Sequence, residues 1–123
     1  MRIEGTGPIP ARIMLVGEFP SEQDRSAPFS GSAGAELARL LQEAGIMFSE
    51  CYITYVVKVR PPGGQLSTLM PMKKKDVTAA HLLLNNRHVT KELFAGVQEL
   101  NTEIAMVSPN IIVTLGNLGM WAL

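Results

Sequence analysis

Ile13-Met14-Leu15-Val16 is an unbroken apolar run, and Gly17-Glu18-Phe19-Pro20 follows it directly. An apolar run of this length is typical of a parallel strand that is buried on both faces of a sheet. The glycine and proline after it end the strand in a loop. Because α/β folds build ligand pockets where such loops leave the sheet, we expect a binding site after Val16.

The rest of the chain alternates between helical and strand patterns. The first predicted helix starts after Gly34 and stops at Gly45, with apolar residues at 37, 40, 41 and 44. The other predicted helices cover 76–83, 90–107 and a last turn at 120–123. The predicted second and third strands cover 52–57 and 110–115. This alternation predicts right-handed crossovers and a three-layer α/β sandwich, with a short parallel sheet of strand order 2-1-3 between helices.

Composition limits the class of protein. The chain has 123 residues, is 46% hydrophobic and has a formal net charge of zero, so we expect one domain over residues 1–123 and no general basic surface for nucleic acid. Cys51 is the only cysteine, which excludes an internal disulfide and a cysteine-only metal or cluster site. No signal peptide or apolar run of about 18 residues is visible, so we expect a cytoplasmic protein without a membrane partner.

The loops at the carboxyl ends of the three predicted strands should meet at one edge of the sheet. They cover 17–29, 58–64 and 116–119. The lysines at 73–75 form a separate basic run, which is more often a solvated face than a nucleic-acid contact.

Four motifs in order resemble the uracil-DNA glycosylase superfamily. They are Val16-Gly17-Glu18-x-Pro20, Pro28-Phe29-x-Gly31-x-Ala33-Gly34, Tyr52-Ile53-Thr54 to Lys58-x-Arg60-Pro61-Pro62, and Pro109 to Leu115-Gly116. The chain is most similar to the thermophile-type, iron-sulfur branch, whose domain also occurs in proteins related to phage DNA polymerases.

The resemblance implies a pocket in which a flipped base stacks on an aromatic ring. Phe29 takes the position of that ring, and Glu18 is the candidate catalytic carboxylate. The other base-binding positions are Gly17, Pro20 and Tyr55, and the DNA phosphate contacts fall on Lys58 and Arg60. Read without the resemblance, Phe29 is equally an aromatic that anchors a loop in the core, and Glu18 a carboxylate that bonds to loop amides.

The chain departs from the family pattern at several places. Tyr55 stands where the family has an Asn that reads the uracil edge, and Val59 stands where the iron-sulfur branch has a cluster cysteine. The fourth strand and the His-Pro-Ser loop of the family are not within the 123 residues. We therefore expect an incomplete domain that lacks the C-terminal strand, no metal or iron-sulfur cofactor, and no catalysis by this chain alone.

Three functions remain open. The first is a divergent glycosylase-like domain of DNA repair or replication that binds DNA or a flipped base at the strand ends. The second is a non-catalytic accessory module of a phage-type DNA polymerase, and the third is a small nucleobase binder. The third predicted strand is an apolar edge, which we expect another copy or a second chain to cover, and the resemblance to phage proteins makes a phage-encoded protein one alternative.

Overall fold

The computed structural model describes residues 2–123. Its strands are β1 (Ile13–Gly17), β2 (Tyr52–Tyr55), β3 (Leu82–Leu84), β4 (Arg87–Val89) and β5 (Ile111–Thr114). Its α-helices are α1 (Ser32–Glu43), α2 (Lys91–Val107) and α3 (Asn117–Ala122), and short 3-10 turns occur in the connections.

The main sheet is parallel, with the order β2-β1-β5. Leu15 of the central strand aligns with Ile53 on one side and with Val113 on the other. The three predicted strands are therefore confirmed, as is their 2-1-3 order.

Side chains of β1 alternate between two apolar layers. Met14 and Val16 point into a large cluster with α2 and α3, whereas Leu15 packs with residues of α1 on the opposite face. All three side chains are 0% exposed. Because successive residues of a strand face opposite sides, one short apolar run fills both layers of the sandwich.

The ends of α1 and α2 follow from local sequence. The α1 helix ends before Gly45, whose φ of 81° is the left-handed conformation that glycine adopts at low cost. Thr90 precedes α2 and its hydroxyl accepts the Leu93 N–H at 3.3 Å, as helix N-cap residues do.

The predicted helix at 76–83 is wrong. Residues 82–89 form an antiparallel hairpin, in which Leu84 of β3 pairs with Arg87 of β4. The turn residues Asn85 and Asn86 have φ values of 48° and 65°, a conformation that Asn tolerates and that suits a two-residue hairpin turn. A run of leucines fits a helix or a strand, and the Asn-Asn turn favours the strand.

The two edges of the main sheet differ. The chain at residues 2–6 runs beside β2, where Thr6 exchanges backbone hydrogen bonds of 2.9 and 2.8 Å with Ile53. Within residues 2–123 no strand pairs with the outer edge of β5, whose Ile111 and Val113 are 57% and 39% exposed. Among the helices in this part of the chain, none has the length and apolar character to cross a bilayer.

Candidate functional site

Two aromatic rings meet at the carboxyl end of the parallel sheet. The ring centroids of Phe29 and Tyr55 lie 5.0 Å apart and their planes are inclined by 28°. Tyr55 is the last residue of β2, and Phe29 lies in the loop that leads from β1 to α1. The stacked pair therefore joins the ends of two neighbouring strands.

Two glycines make room for this pair. A Cβ on Gly17 would lie 2.6 Å from Phe29 Cζ and 2.9 Å from Tyr55 Cδ1, and a Cβ on Gly34 would overlap the Phe29 carbonyl oxygen. Phe29 itself has a φ of 54°, which is uncommon for a residue with a side chain. The loop backbone therefore packs closely around the Phe29 ring. This close packing explains the small residues of the Pro-Phe-x-Gly-x-Ala-Gly motif.

The polar end of Tyr55 is held on two sides. Its hydroxyl donates a hydrogen bond to Asp24 Oδ2 and accepts one of 2.9 Å from the Phe29 N–H. Asp24 also accepts the Ser21 N–H at 3.0 Å and the Gly31 N–H at 3.2 Å. One buried carboxylate therefore connects the loop after β1, the start of α1 and the end of β2.

Burial and hydrogen bonding shift the pKa values of Asp24 and Tyr55. Burial alone raises the pKa of Asp24, but the bonds from Tyr55 and from the two amides outweigh it and hold that pKa below its usual value. Burial, and then the bond to Asp24, raises the pKa of the Tyr55 phenol well above its usual value. Near neutral pH the pair is therefore a carboxylate and a neutral phenol.

Glu18 and Pro20 lie on the same loop as Gly17 but have other neighbours. The Glu18 carboxylate accepts the Leu118 N–H at 3.1 Å, at the start of α3, and a Cβ on Gly116 would lie 2.7 Å from it. Glu18 is half-buried and Pro20 is buried. This placement bonds the proposed catalytic carboxylate to an amide in the first turn of α3, and its catalytic role stays a prediction.

Lys58 points into the protein. Only 2% of its side chain is exposed, and its ammonium lies 2.6 Å from Glu103 Oε1 and 2.7 Å from the Tyr55 carbonyl oxygen. Glu103 also accepts hydrogen bonds from the hydroxyls of Tyr52 at 2.8 Å and Thr54 at 3.0 Å. A buried ammonium with these partners gives no support to a contact with DNA phosphate.

Of the two predicted phosphate contacts, Arg60 is the one that lies near the surface. It lines a cleft of about 380 Å³ together with Ser21, Glu22, Gln23, Ser32 and Ala33. Its guanidinium lies 3.8 Å from Glu22, which is a loose and exposed ion pair. The geometry thus leaves Arg60 available to an anion at the loop after β1.

The structure brings Gly17, Phe29 and Tyr55 together and places Arg60 on the same loop cluster. Two residues of the site were missed by the sequence analysis, Asp24 and Glu103. For Glu103 a signal was present, because it lies three residues after Leu100 on the apolar face of α2, where a charge needs a buried partner. A loop carboxylate such as Asp24 carries no comparable signal.

A sequence profile decides the family. The profile of the Uracil DNA glycosylase superfamily matches residues 4–122. The chain belongs to this superfamily. The expected family is therefore confirmed, and the α/β fold with its parallel sheet agrees with it.

Curated relatives are similar over most of this chain. The type-4 uracil-DNA glycosylase of Thermotoga maritima is 33% identical over 116 residues, which cover 93% of this chain and 50% of the relative. The enzymes of the same name from Saccharolobus solfataricus and Pyrobaculum aerophilum are 33% and 31% identical, over 93% and 98% of this chain and 44% and 52% of their own. The chain spans about half the length of the curated relatives it matches.

The iron-sulfur cluster of the branch that this chain resembles does not fit these residues. Cys51 is the only cysteine, and it is 1% exposed, with a thiol pKa raised by burial and by nearby Glu50. The 123 residues therefore cannot supply four cysteine ligands. No group of three or more His, Cys, Asp or Glu side chains is arranged for a metal within residues 2–123.

Proposed function

We propose that this member of the uracil-DNA glycosylase superfamily acts on DNA in DNA repair, and that its residues bind DNA without excising a base. The loops after β1 and β2 are the proposed binding surface, with Arg60 as the phosphate contact. Residues 1–123 are proposed to form a single, incomplete domain. This proposal rests on the family match and on relatives that are named uracil-DNA glycosylase.

The single observation that carries the non-catalytic part is the stack of Tyr55 on Phe29. Cleavage of a glycosidic bond requires donors that face the departing base. At this site the phenol of Tyr55 donates to Asp24, and the Glu18 carboxylate accepts from Leu118. The Tyr55 phenol and the Glu18 carboxylate are therefore both bonded to other groups of the protein, and neither faces a departing base.

The proposal is tested with a fluorescent oligonucleotide that contains one uracil. Binding is followed by anisotropy over a series of salt concentrations, and abasic sites are detected by alkaline cleavage. We expect binding that weakens with salt, Arg60→Ala to reduce the salt slope by about one, and no abasic sites. Arg39→Ala is the matched control, because it removes the same charge from the exposed face of α1.

Three results would contradict the proposal. Abasic sites formed by the wild-type chain would contradict the non-catalytic part. Absence of binding at low salt, or equal effects of Arg60→Ala and Arg39→Ala, would contradict the assigned DNA surface.

A second function, an accessory module of a phage-type DNA polymerase, is favoured by the open edge of β5. The unpaired backbone N–H and C=O groups of a parallel edge are a template for another strand, and exposed apolar side chains beside them favour its burial. Co-purification with a polymerase, lost in an Ile111→Lys variant and kept in a Leu83→Lys variant of the exposed hairpin, is the expected result. A monomer that captures no polymerase would argue against this function. The nucleobase-binder alternative has less support, since Tyr55 is only 1% exposed.

A further inference from the structure

The inner face of Phe29 is already occupied by a ring of the protein itself. Tyr55 covers this face at a centroid distance of 5.0 Å, and it is only 1% exposed, whereas Phe29 is half-buried. At this distance the two rings are in direct contact, so a planar ligand cannot enter between them. The inner face of Phe29 is therefore not free to stack on a ligand.

The hydroxyl of Tyr55 uses both of its hydrogen-bonding functions. It donates to the Asp24 carboxylate and accepts from the Phe29 N–H. The Tyr55 side chain thus fills the space beside Phe29 with a planar six-membered ring, and the polar end of this ring both donates and accepts a hydrogen bond. A pyrimidine such as uracil shares these properties, because an N–H donor and a carbonyl acceptor are neighbours on its ring.

We propose that Tyr55 determines the specificity of this site by acting as a built-in ligand that excludes a pyrimidine base from Phe29. This inference rests on the proposed function, because it assigns the lack of base excision to one side chain. Shortening that side chain removes the ring and its hydroxyl, while the residues Phe29 and Asp24 and the loop after β1 keep their sequence.

The space left by Tyr55→Ala has defined walls. Phe29 supplies an aromatic face, and its N–H and the Asp24 carboxylate lose the partner that they share in the wild type. Cavities made by removing a buried ring remain open and take small ligands of matching shape. The Phe29 N–H is then unpaired, and Asp24 keeps its bonds to the Ser21 and Gly31 amides but has room for one more donor. These two groups select a ligand with a hydroxyl or an imide edge over a purely apolar one.

The test is a calorimetric titration of wild type, Tyr55→Ala and Tyr55→Phe with phenol, uracil and cyclohexanol. Phenol replaces the missing side chain, uracil tests for a base, and cyclohexanol has a hydroxyl but no planar ring. We expect Tyr55→Ala to bind phenol and uracil at least about tenfold more tightly than the other two proteins do, and to bind cyclohexanol weakly. Tyr55→Phe keeps the ring, so we expect the site beside Phe29 to stay filled in this variant.

Three results would overturn the inference. In the first, folded Tyr55→Ala binds neither phenol nor uracil. In the second, it binds phenol alone, which means that a cavity forms but does not accept a base. In the third, wild type binds uracil as tightly as the variant does.

A measurement on the wild type covers the case in which Tyr55→Ala does not fold. With ¹³C-labelled tyrosine, the NOE between the Tyr55 and Phe29 rings should persist when a uracil-containing oligonucleotide saturates the protein, and the NOEs of the Tyr52 ring are the internal reference. Loss of the NOE between the two rings would show that a base replaces the Tyr55 ring and would overturn the inference. Loss of DNA binding contradicts the proposed function alone, because the titrations with free phenol and uracil do not depend on it.

Discussion

The ammonium of Lys58 lies 2.6 Å from Glu103 Oε1, in a position where both side chains are almost completely buried. The pair joins the chain after β2 to the second half of α2. The Lys58 ammonium also bonds to the carbonyl of Tyr55, so the same pair fixes the backbone of the residue that stacks on Phe29.

Glu103→Ala should destabilise the fold strongly. It leaves the Lys58 ammonium buried without its counter-ion, a change that costs about 3–5 kcal/mol in the free energy of unfolding. Urea denaturation measures this loss. Glu99→Ala is the control, because Glu99 pairs with Arg2 at the surface and its loss should cost less than about 1 kcal/mol. Equal effects of the two substitutions would show that the buried pair contributes little.

Gly34→Ala should destabilise the protein, although alanine is the better helix former. Helix propensity favours the substitution by about 1 kcal/mol. The new Cβ, however, would overlap the carbonyl oxygen of Phe29, and backbone shifts of this kind cost about 1–3 kcal/mol. Thermal unfolding should therefore show a lower midpoint.

The control for that experiment is Ala35→Gly, at the exposed neighbouring position of α1. It should cost about 1 kcal/mol from propensity alone. A stabilising effect of Gly34→Ala would mean that the loop carrying Phe29 can move away at no cost.

Protonation of Asp24 at acid pH should lower the free energy of unfolding. Its pKa in the folded state lies below the usual value of 3.8, so its contribution is present above that value and is lost as the pH falls through the folded-state pKa. Wild type should lose stability more steeply below about pH 4 than Asp24→Asn does. Urea midpoints between pH 2 and pH 6 measure the difference, and parallel curves would contradict the bonding of Asp24 described above.

Asn86 should be replaceable by Gly but not by Ala. Both turn residues of the hairpin have positive φ, which costs an alanine about 1 kcal/mol and costs glycine nothing. The hairpin contacts the only tryptophan, because the Trp121 indole N–H donates to the Asn85 carbonyl at 3.4 Å. Trp121 fluorescence during unfolding therefore reports on the turn.

Asn101→Ala is a suitable control for the hairpin experiment, because Asn101 is exposed on α2. We expect it to leave the Trp121 signal unchanged and to alter stability only through helix propensity. If Asn86→Ala behaves in the same way, the hairpin turn does not require left-handed residues.

Hydrophobic periodicity predicted the parallel strands and α2 correctly, because burial of a strand or of one helix face leaves a pattern in neighbouring residues. The apolar run before Gly17 became the central strand. The same reasoning failed at 82–89, where three leucines match a helix and a strand equally well. There the backbone conformation of the Asn-Asn turn was the stronger influence.

The three parallel strands, the family and the lack of cluster cysteines can all be read from the printed residues, since they depend on local pattern and on residue identity. The roles of Tyr55 and Lys58 cannot. Tyr55 meets Phe29 across 26 positions of the chain, and Lys58 meets Glu103 across 45. Such partners come together only when the sheet and its helices have packed, because packing sets which polar groups lose water and must find each other.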